Sequence, residues 1–233
     1  MSRMPASRTK AKTPKARGEK PRRVRDAAQT RQDILAAATA EFAENGLTGA
    51  RIDTIAARMQ TTLRMIYYYF GSKERLYRAA LEECYGNMRR AEAKLEVDSL
   101  PPTEAIRRMV EFVFDYQEAH PEFTRLVSIE NIHQAHHIAQ SETIRRMNAS
   151  IIETLSRILE RGQREGIFRQ DAKPLGLHML MTAFCFFRIS NRYTLGWIFQ
   201  HDPLSRDLRV EHRNMVVDSV LGYLCKPSPE VLP

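Results

Sequence analysis

The sequence lacks the features of membrane, secreted and disulfide-rich proteins. It contains no run of about eighteen uncharged apolar residues, as a membrane-spanning helix needs, and its polar N-terminal stretch has no signal-peptide core. We therefore expect a cytoplasmic chain without a membrane partner. Its three cysteines, Cys84, Cys185 and Cys225, lie far apart without C-x-x-C spacing. This spacing indicates neither a disulfide framework nor a zinc knuckle, so we expect packing roles for all three.

Enzyme signatures are also missing. We find no nucleophile–base constellation, no glycine-rich phosphate loop and no alternating period-two strand pattern. Glu130 and His133 have the Glu-x-x-His spacing of a di-iron ligand pair, with His136 and His137 close by, but that pattern needs a second copy, which is absent. Surface histidines are therefore favoured over a metal site. We predict a non-enzyme without metal or cofactor, and a helical metalloenzyme is the rival hypothesis.

Positive charge is concentrated at the N-terminus. Residues 1–28 contain ten Lys or Arg and two acidic residues, so this segment alone carries the formal net charge of +8. A basic arm beside a folded domain is typical of polyanion binders, since each neutralised phosphate releases counterions. It is equally typical of disordered, solubilising extensions. We expect disorder in this arm, and nonspecific compaction of nucleic acid through it is a third hypothesis.

Helix signals begin at Thr30, where Thr30-Arg31-Gln32-Asp33 has the form of a capping box, and a first helix is predicted to end at Asn45-Gly46. A second short helix is expected from about Arg51 to Met59. Thr62 can cap a third, and Ser72 a fourth. Two short helices joined by a tight turn and braced by a longer one form a helix-turn-helix, whose second helix enters the major groove.

The rest of the chain has helical periodicity throughout. Amphipathic helices are predicted from Pro101 to before Pro121, from Phe123 to about His133, and along a stripe ending at Glu165-Gly166. A helix from Pro174 to about Ser190 is apolar nearly all round and needs cover on every side. A last stripe ends before Pro227. We predict an all-α fold, with a basic arm at 1–28, a DNA-binding domain at 29–81, a sensing and dimerisation domain at 82–226 and a tail at 227–233.

Within residues 34–76, three stretches carry a family resemblance: Glu41-Phe42-Ala43-Glu44-Asn45-Gly46, then Ile55-Ala56, then Ile66-Tyr67-Tyr68-Tyr69-Phe70-Gly71-Ser72-Lys73-Glu74. In sequence and spacing they resemble the tetracycline-repressor (TetR) family of one-component regulators. The resemblance implies a homodimer whose first three helices bind DNA, whose fourth links this head to the sensor, and whose last two long helices form the dimer interface. It implies no particular ligand, because the sensor half of the family is diverse.

The chain departs from the family pattern at two places. Gln60 stands where the family usually has glycine in the turn before the third helix, and a left-handed glutamine there would cost roughly 1 kcal/mol or more. Thr62-Leu63 replaces a Ser or Asn cap followed by Lys, which removes one cation from the DNA-facing end. Arg64 or the basic arm can replace that contact.

Candidate DNA contacts cluster in and around the third helix. Arg64 can donate both N–H groups of its fork to guanine, and Thr61 and Thr62 can hold a phosphate at the helix N-terminus. Leu63 and Met65 can touch thymine methyl groups, and Tyr68 can reach bases or sugar. By similarity to the family, Tyr67 and Lys73 hold phosphates. Arg51 is either a phosphate contact or a solvated side chain, Lys73 is alternatively a solvated charge, and one of the three tyrosines, Tyr69, is expected in the core.

Candidate ligand-pocket residues in the second half are Phe112, Tyr116, Phe184, Phe187, Arg188, Tyr193 and Trp197. Ordinary core packing is the alternative for each aromatic side chain. Arg188 lies inside an apolar run and needs a partner, which is a protein carboxylate, a ligand anion or the dimer mate. Arg192, one turn later, is expected on the same face.

Together these features predict a sequence-specific transcription regulator. The expected partners are palindromic double-stranded operator DNA, a second copy of the chain and an unidentified small-molecule effector. We expect repression, relieved when the effector swings the fourth helix and changes the spacing of the two heads.

Overall fold

The computed structural model describes residues 27–225, and helices are the regular elements of this range. The helices are α1 (Ala27–Gly49), α2 (Ile52–Arg58), α3 (Leu63–Phe70), α4 (Lys73–Ala93), α5 (Pro102–Ala119), α6 (Pro121–Ile132), α7 (Glu142–Arg164), α8 (Pro174–Ser190), α9 (Arg192–Phe199) and α10 (Arg206–Leu224). No strand occurs between residues 27 and 225, so the all-α prediction is confirmed. The tail at 227–233 and nearly all of the basic arm lie outside the described residues.

The DNA-binding head is built around α1. Its buried residues Ile34, Ala38 and Phe42 recur at helical spacing and face α2 and α4. Gly46 has the positive φ of 64° predicted for the end of the first helix, and a further turn continues to Gly49. The predicted start at Thr30 is wrong. The helix already includes Ala27, the first described residue, and the helix formers Ala27 and Ala28 favour its extension before Thr30.

Helix α4 joins the head to the rest of the chain. Ser72 caps its start, with Oγ accepting the backbone N–H of Arg75 at 3.2 Å, as predicted. Tyr77 is fully buried, and its ring packs edge-on against both Phe42 and His137 at 5.0 Å. Because α4 is continuous from Lys73 to Ala93, it runs through the predicted domain boundary after residue 81, and that boundary stays a prediction.

The C-terminal bundle is organised by α5. This helix packs against α7, α8 and α10, and its residues Ile106, Met109, Val110 and Phe114 are fully buried. Pro102 starts α5 and Pro174 starts α8, each in the first turn where a missing N–H does no harm. Within residues 27–225 no helix has the length and apolarity needed to cross a membrane.

Two expectations for the bundle are corrected. The chain breaks at Asn191, so α9 is a separate helix; Arg192 therefore does not continue the face of α8 and pairs with Asp202 at 2.6 Å instead. Cys84 and Cys185 are buried as predicted, but Cys225 is exposed among the described residues, because it follows the last turn of α10 and is the last residue of the described range.

Candidate DNA-binding surface and effector cavities

Helix α3 has one buried face and one exposed face. Thr62 caps it as predicted, and its Oγ1 accepts a hydrogen bond from the backbone N–H of Met65 at 3.3 Å. Ile66 and Phe70, one turn apart, are buried in the head. The opposite face carries the exposed side chains of Leu63, Arg64, Met65, Tyr67 and Tyr68. Five of the predicted contact residues therefore project together from one short helix.

The three consecutive tyrosines of α3 have different surroundings. Tyr68 is 78% exposed, the largest exposure among the apolar and aromatic side chains of α3. Tyr69 packs partly buried against the core, as expected for one tyrosine of the three, and Tyr68 stands edge-on to its ring at 5.4 Å. This packing leaves Tyr67 and Tyr68 to face solvent with their hydroxyl groups available as donors or acceptors.

The turn between α2 and α3 is a complete helix-ending motif with an unusual residue in it. Gln60 has φ 49°, the left-handed conformation that this position favours in glycine. Its backbone N–H donates to Ala57 O at 3.1 Å, and the N–H of Thr61 donates to Ala56 O at 3.0 Å. The turn therefore keeps its geometry, and the departure at Gln60 places strain there instead of distorting the head.

Arg51 caps the start of α2 and Lys73 begins α4, and each has a partner within the head. Arg51 Nη2 lies 2.7 Å from Asp53 Oδ2, and both side chains are exposed. Lys73 Nζ donates to the backbone carbonyl of Thr48 at 3.3 Å, which ties the start of α4 to the end of α1. Lys73 retains two further N–H donors, so this contact is compatible with a phosphate contact.

The buried carboxylate of Glu41, which is not among the predicted site residues, orients α2. Glu41 Oε1 accepts hydrogen bonds from the backbone N–H of Arg51 at 3.2 Å and from Asn45 Nδ2 at 3.1 Å. Arg58 Nη2 lies 3.2 Å from Glu41 Oε2. One side chain of α1 thus holds both ends of α2. The available signal was its position on the apolar stripe of α1, one turn after Ala38, where a carboxylate needs partners.

The seven candidate ligand-pocket residues do not share one cavity. Phe112, Tyr116 and Phe184 are partly buried against the core. Phe187, Tyr193 and Trp197 are exposed on α8 and α9, so the prediction that they line an internal pocket is wrong for the single chain. The physical reason is that α8 is apolar on several sides and the described helices cover only some of them.

Arg188 belongs to a buried ion-pair network. Its Nη2 lies 2.6 Å from Glu118 Oε2, and its guanidinium carbon lies 4.0 Å from the centre of the Phe114 ring. Arg209 shares the same carboxylate, with Nε 3.0 Å from Glu118 Oε1. Of the three partners considered for Arg188, the structure provides the protein carboxylate.

Glu130 accepts hydrogen bonds from the backbone of the segment that follows α6. Its Oε2 accepts the N–H groups of His137 and Ile138, each at 3.0 Å, and its Oε1 lies 3.0 Å from His137 Nδ1. Burial acts to raise the pKa of this carboxyl group, but the hydrogen bonds outweigh burial and lower it. Residues 27–225 contain no group of three or more His, Cys, Asp or Glu side chains arranged to hold a metal ion.

Helix α4 borders three cavities. The first, of about 340 Å³, lies between α1, α4, α5 and α6, and Thr39, Asn87 and Tyr116 line it. The second, of about 210 Å³, lies between α4, α5 and α7 and contains Arg89 and Glu92. The third, of about 720 Å³, lies between α4, α7 and α8. Any molecule filling one of these spaces would contact the helix that carries the head.

Arg89 and Glu92 form a nearly buried ion pair on α4. The side chains are each 9% exposed, and Arg89 Nη1 lies 2.7 Å from Glu92 Oε2. Burial lowers the pKa of Arg89 and raises the pKa of Glu92. Apart from this contact, Arg89 Nε and Glu92 Oε1 have no hydrogen-bond partner among the described residues, which leaves one donor and one acceptor for a bound molecule. The signal in the sequence was Glu92 lying one turn after Met88 on the buried stripe.

Comparison with known proteins matches both halves of the chain. Residues 34–80 match the profile described as bacterial regulatory proteins, tetR family, and residues 102–220 match the tetracyclin repressor-like C-terminal domain. The HTH-type transcriptional repressor NicS of Pseudomonas putida is 37% identical over 202 residues, which cover 87% of this chain and 95% of NicS. The HTH-type transcriptional repressor SCO4008 of Streptomyces coelicolor is 38% identical over 103 residues, 44% of this chain and 50% of that protein.

Among solved structures, the transcriptional regulator SCO4942 from Streptomyces coelicolor has a TM-score of 0.64 and 26% identity to this chain. The superposition covers 85% of this chain and 99% of SCO4942. The similarity therefore extends through the head and the bundle.

Proposed function

Because the chain belongs to the TetR family of bacterial regulatory proteins, we propose that it is a repressor that releases a palindromic operator when a small molecule binds its C-terminal bundle. It is a DNA-binding transcription regulator, and its relatives are regulators and not enzymes. Members of this family act as dimers on operator DNA. The particular operator, the effector and the residues that contact them are proposals for this chain.

The observation that carries the proposal is the exposed face of α3. We infer that the exposed Arg64 donates two N–H groups to the O6 and N7 atoms of a guanine, the commonest specific base contact in the major groove. Leu63 and Met65 are proposed to contact thymine methyl groups, and Tyr68 a base or sugar. Tyr67 reaches the backbone on one side.

Phosphate contacts at the ends of this face set its register on the duplex. The N-terminus of α3, with Thr61 and Thr62, is suited to a phosphate because its backbone N–H groups and helix dipole attract anions. Lys73 and Arg51 lie at the margins of the face and add positive charge. In a dimer, two copies of α3 enter successive major grooves, so the half-sites lie about one helical turn apart.

The effector acts on α4. Since α4 borders three cavities, a molecule bound beside it displaces a rigid helix that carries the head. We favour the cavity at Arg89 and Glu92. Its Arg89 Nε donor and Glu92 Oε1 acceptor have no hydrogen-bond partner among the described residues, so they match a small molecule that presents an acceptor beside a donor. A few degrees of rotation of α4 changes the distance between the two copies of α3, and both can no longer engage the DNA.

The basic arm adds affinity without sequence preference. Residues 1–28 carry the net charge of the chain, and we infer that they contact phosphates, including in the minor groove. Deleting residues 2–26 should weaken DNA binding and reduce its dependence on salt. An unchanged affinity and salt dependence would reject this role.

Selection from a pool of random duplex DNA tests the proposed function. The purified chain is incubated with the pool at near-physiological salt, and the retained duplexes are sequenced. We expect a palindrome whose half-sites lie about one helical turn apart. Recovery of no preferred sequence would overturn sequence-specific reading and favour compaction of DNA through the arm, and absence of binding would overturn the DNA-binding function itself.

A further inference from the structure

Helix α9 is an apolar helix that buries none of its residues. Within it, Tyr193 is 67% exposed, Trp197 78%, Ile198 62% and Phe199 69%. An eight-residue helix is marginal in water without packing partners. Aromatic and aliphatic side chains grouped at this density on a surface indicate a contact with another molecule.

The position of α9 is fixed, although its surface is bare. Arg125 Nη2 donates to Tyr193 Oη at 2.8 Å, and Arg192 Nη2 lies 2.6 Å from Asp202 Oδ2. These polar contacts, together with packing against α8, hold the helix beside the bundle. Since successive residues project about 100° apart, the side chains of residues 197–199 point to three sides of the helix, and one neighbouring helix cannot cover all of them.

The exposed surface of α9 continues that of its neighbours. Helix α8 packs against both α9 and α10, and Met179 and Phe187 on α8 and Val210 on α10 are exposed apolar side chains. This is the face through which the family resemblance predicts dimerisation. Helix α9 therefore lies against α8, one of the two helices of the proposed dimer interface.

The area and charge of α9 fit a copy of the same chain. Its four large side chains expose roughly 500 Å² of apolar surface, taking about 200 Å² for a whole aromatic side chain. A stable interface buries about 800 Å² on each partner, so α9 can supply a large share. Residues 193–199 include no charged side chain, and a two-fold contact, in which the same patch meets itself, therefore creates no like-charge repulsion there.

We propose that α9 docks on a second copy of this chain and extends the dimer interface beyond α8 and α10. The inference rests on the homodimer of the proposed function. In the dimer, the Trp197 side chain leaves water, and α9 gains the packing that it lacks in one chain.

Trp197 makes the proposal directly measurable, because it is the only tryptophan in the sequence. Acrylamide quenching of its fluorescence is measured over a dilution series, while sedimentation velocity gives the mass at each concentration. We expect strong protection and blue-shifted emission in the dimer, and free access to the quencher once the chain dissociates. If Trp197 in the dimer were quenched as readily as free tryptophan, the proposed role of α9 would be overturned. The homodimer would still be supported by the measured mass.

Protection that persists in a monomer would also overturn the proposal, since it would mean that another segment of the same chain covers α9. A chain that stays monomeric at all concentrations would overturn both the proposal and the homodimer. DNA binding to random duplex measured on the same samples separates this result from loss of the folded head.

A matched pair of variants locates the contact. Ile198→Asp places a charge in α9, and Ile132→Asp places the same charge at the end of α6, where the isoleucine is 76% exposed. Since each dimer buries two copies of residue 198, we expect Ile198→Asp to raise the dimer dissociation constant about tenfold or more. Ile132→Asp should leave the constant unchanged. Equal effects of the two variants would contradict the placement of α9 in the interface.

Discussion

Replacing Gln60 with glycine should stabilise the chain. Gln60 has φ 49° at the end of α2, and its turn is closed by the hydrogen bonds to Ala57 and Ala56. A side chain in the left-handed region costs roughly 1–2 kcal/mol relative to glycine, whereas glycine loses roughly 0.5–1 kcal/mol more on folding. The net gain is about 0–1.5 kcal/mol, and its centre, about 0.7 kcal/mol, corresponds to a rise in Tm of about 2–3 °C for a chain of this size.

Thermal unfolding followed by circular dichroism measures this difference, and Gln60→Ala is the matched control. Alanine also removes the glutamine side chain, but it keeps the Cβ atom that makes the conformation costly. If the left-handed conformation is the cause, Gln60→Gly has a higher Tm than the unmodified chain and Gln60→Ala shows little or no rise in Tm. If both variants gained equally, the stabilisation would come from losing the side chain, and if Gln60→Gly lost stability, the assigned strain would be refuted.

Three further changes have expected outcomes. Arg64→Ala should weaken binding to the selected operator by roughly 5- to 150-fold, the loss of one bidentate base contact, and relax the preference at that base, measured by fluorescence anisotropy. The pKa of Glu130 is lowered in the fold, so its contribution to stability is present above its unfolded pKa and is lost as pH falls through the folded pKa. Glu130→Gln should therefore lower the free energy of unfolding at pH 7. The difference in this free energy between the variant and the unmodified chain should decrease as the pH falls. Gly162→Ala should destabilise by about 1–3 kcal/mol in urea unfolding, because the added methyl group would overlap the Phe168 ring.

Each of these changes has a control elsewhere in the chain. Arg107→Ala removes an exposed arginine from α5, and an equal loss of DNA affinity would show a general charge effect. Glu153→Gln neutralises an exposed carboxylate of α7, and a similar pH dependence for both variants would contradict the role of Glu130. Gly176→Ala adds a methyl group where no atom lies within 4 Å, so a matching destabilisation would exclude the overlap as the cause.

Local patterns predicted the head well. The caps at Thr62 and Ser72 act within three residues of chain, so their geometry follows from sequence alone. The buried positions Ile66 and Phe70 follow from helical spacing, and the exposed contact face of α3 follows from them. The error at the start of α1 arose because an internal stretch matched a capping pattern while the residues before it also favoured a helix.

The bundle was harder to predict, because burial there depends on which helices meet. Phe187 and Trp197 look like core residues in the sequence, but they are exposed because no described residue covers them. Arg188 was predicted to need a partner, yet Glu118 lies seventy residues away, and no local pattern connects the two. For the same reason, the burial of the ion pair Arg89–Glu92 is visible only when α4 is packed among its neighbours.

In the proposed mechanism, two copies of α3 bind two half-sites at a fixed separation. Affinity for the selected operator is compared with affinity for the same operator carrying about five additional base pairs between its half-sites, roughly half a helical turn. We predict a loss of affinity of about tenfold or more, since one head then faces the wrong side of the duplex. Equal affinity for the two duplexes would contradict the account, because it would mean that the chain binds DNA without two coupled heads.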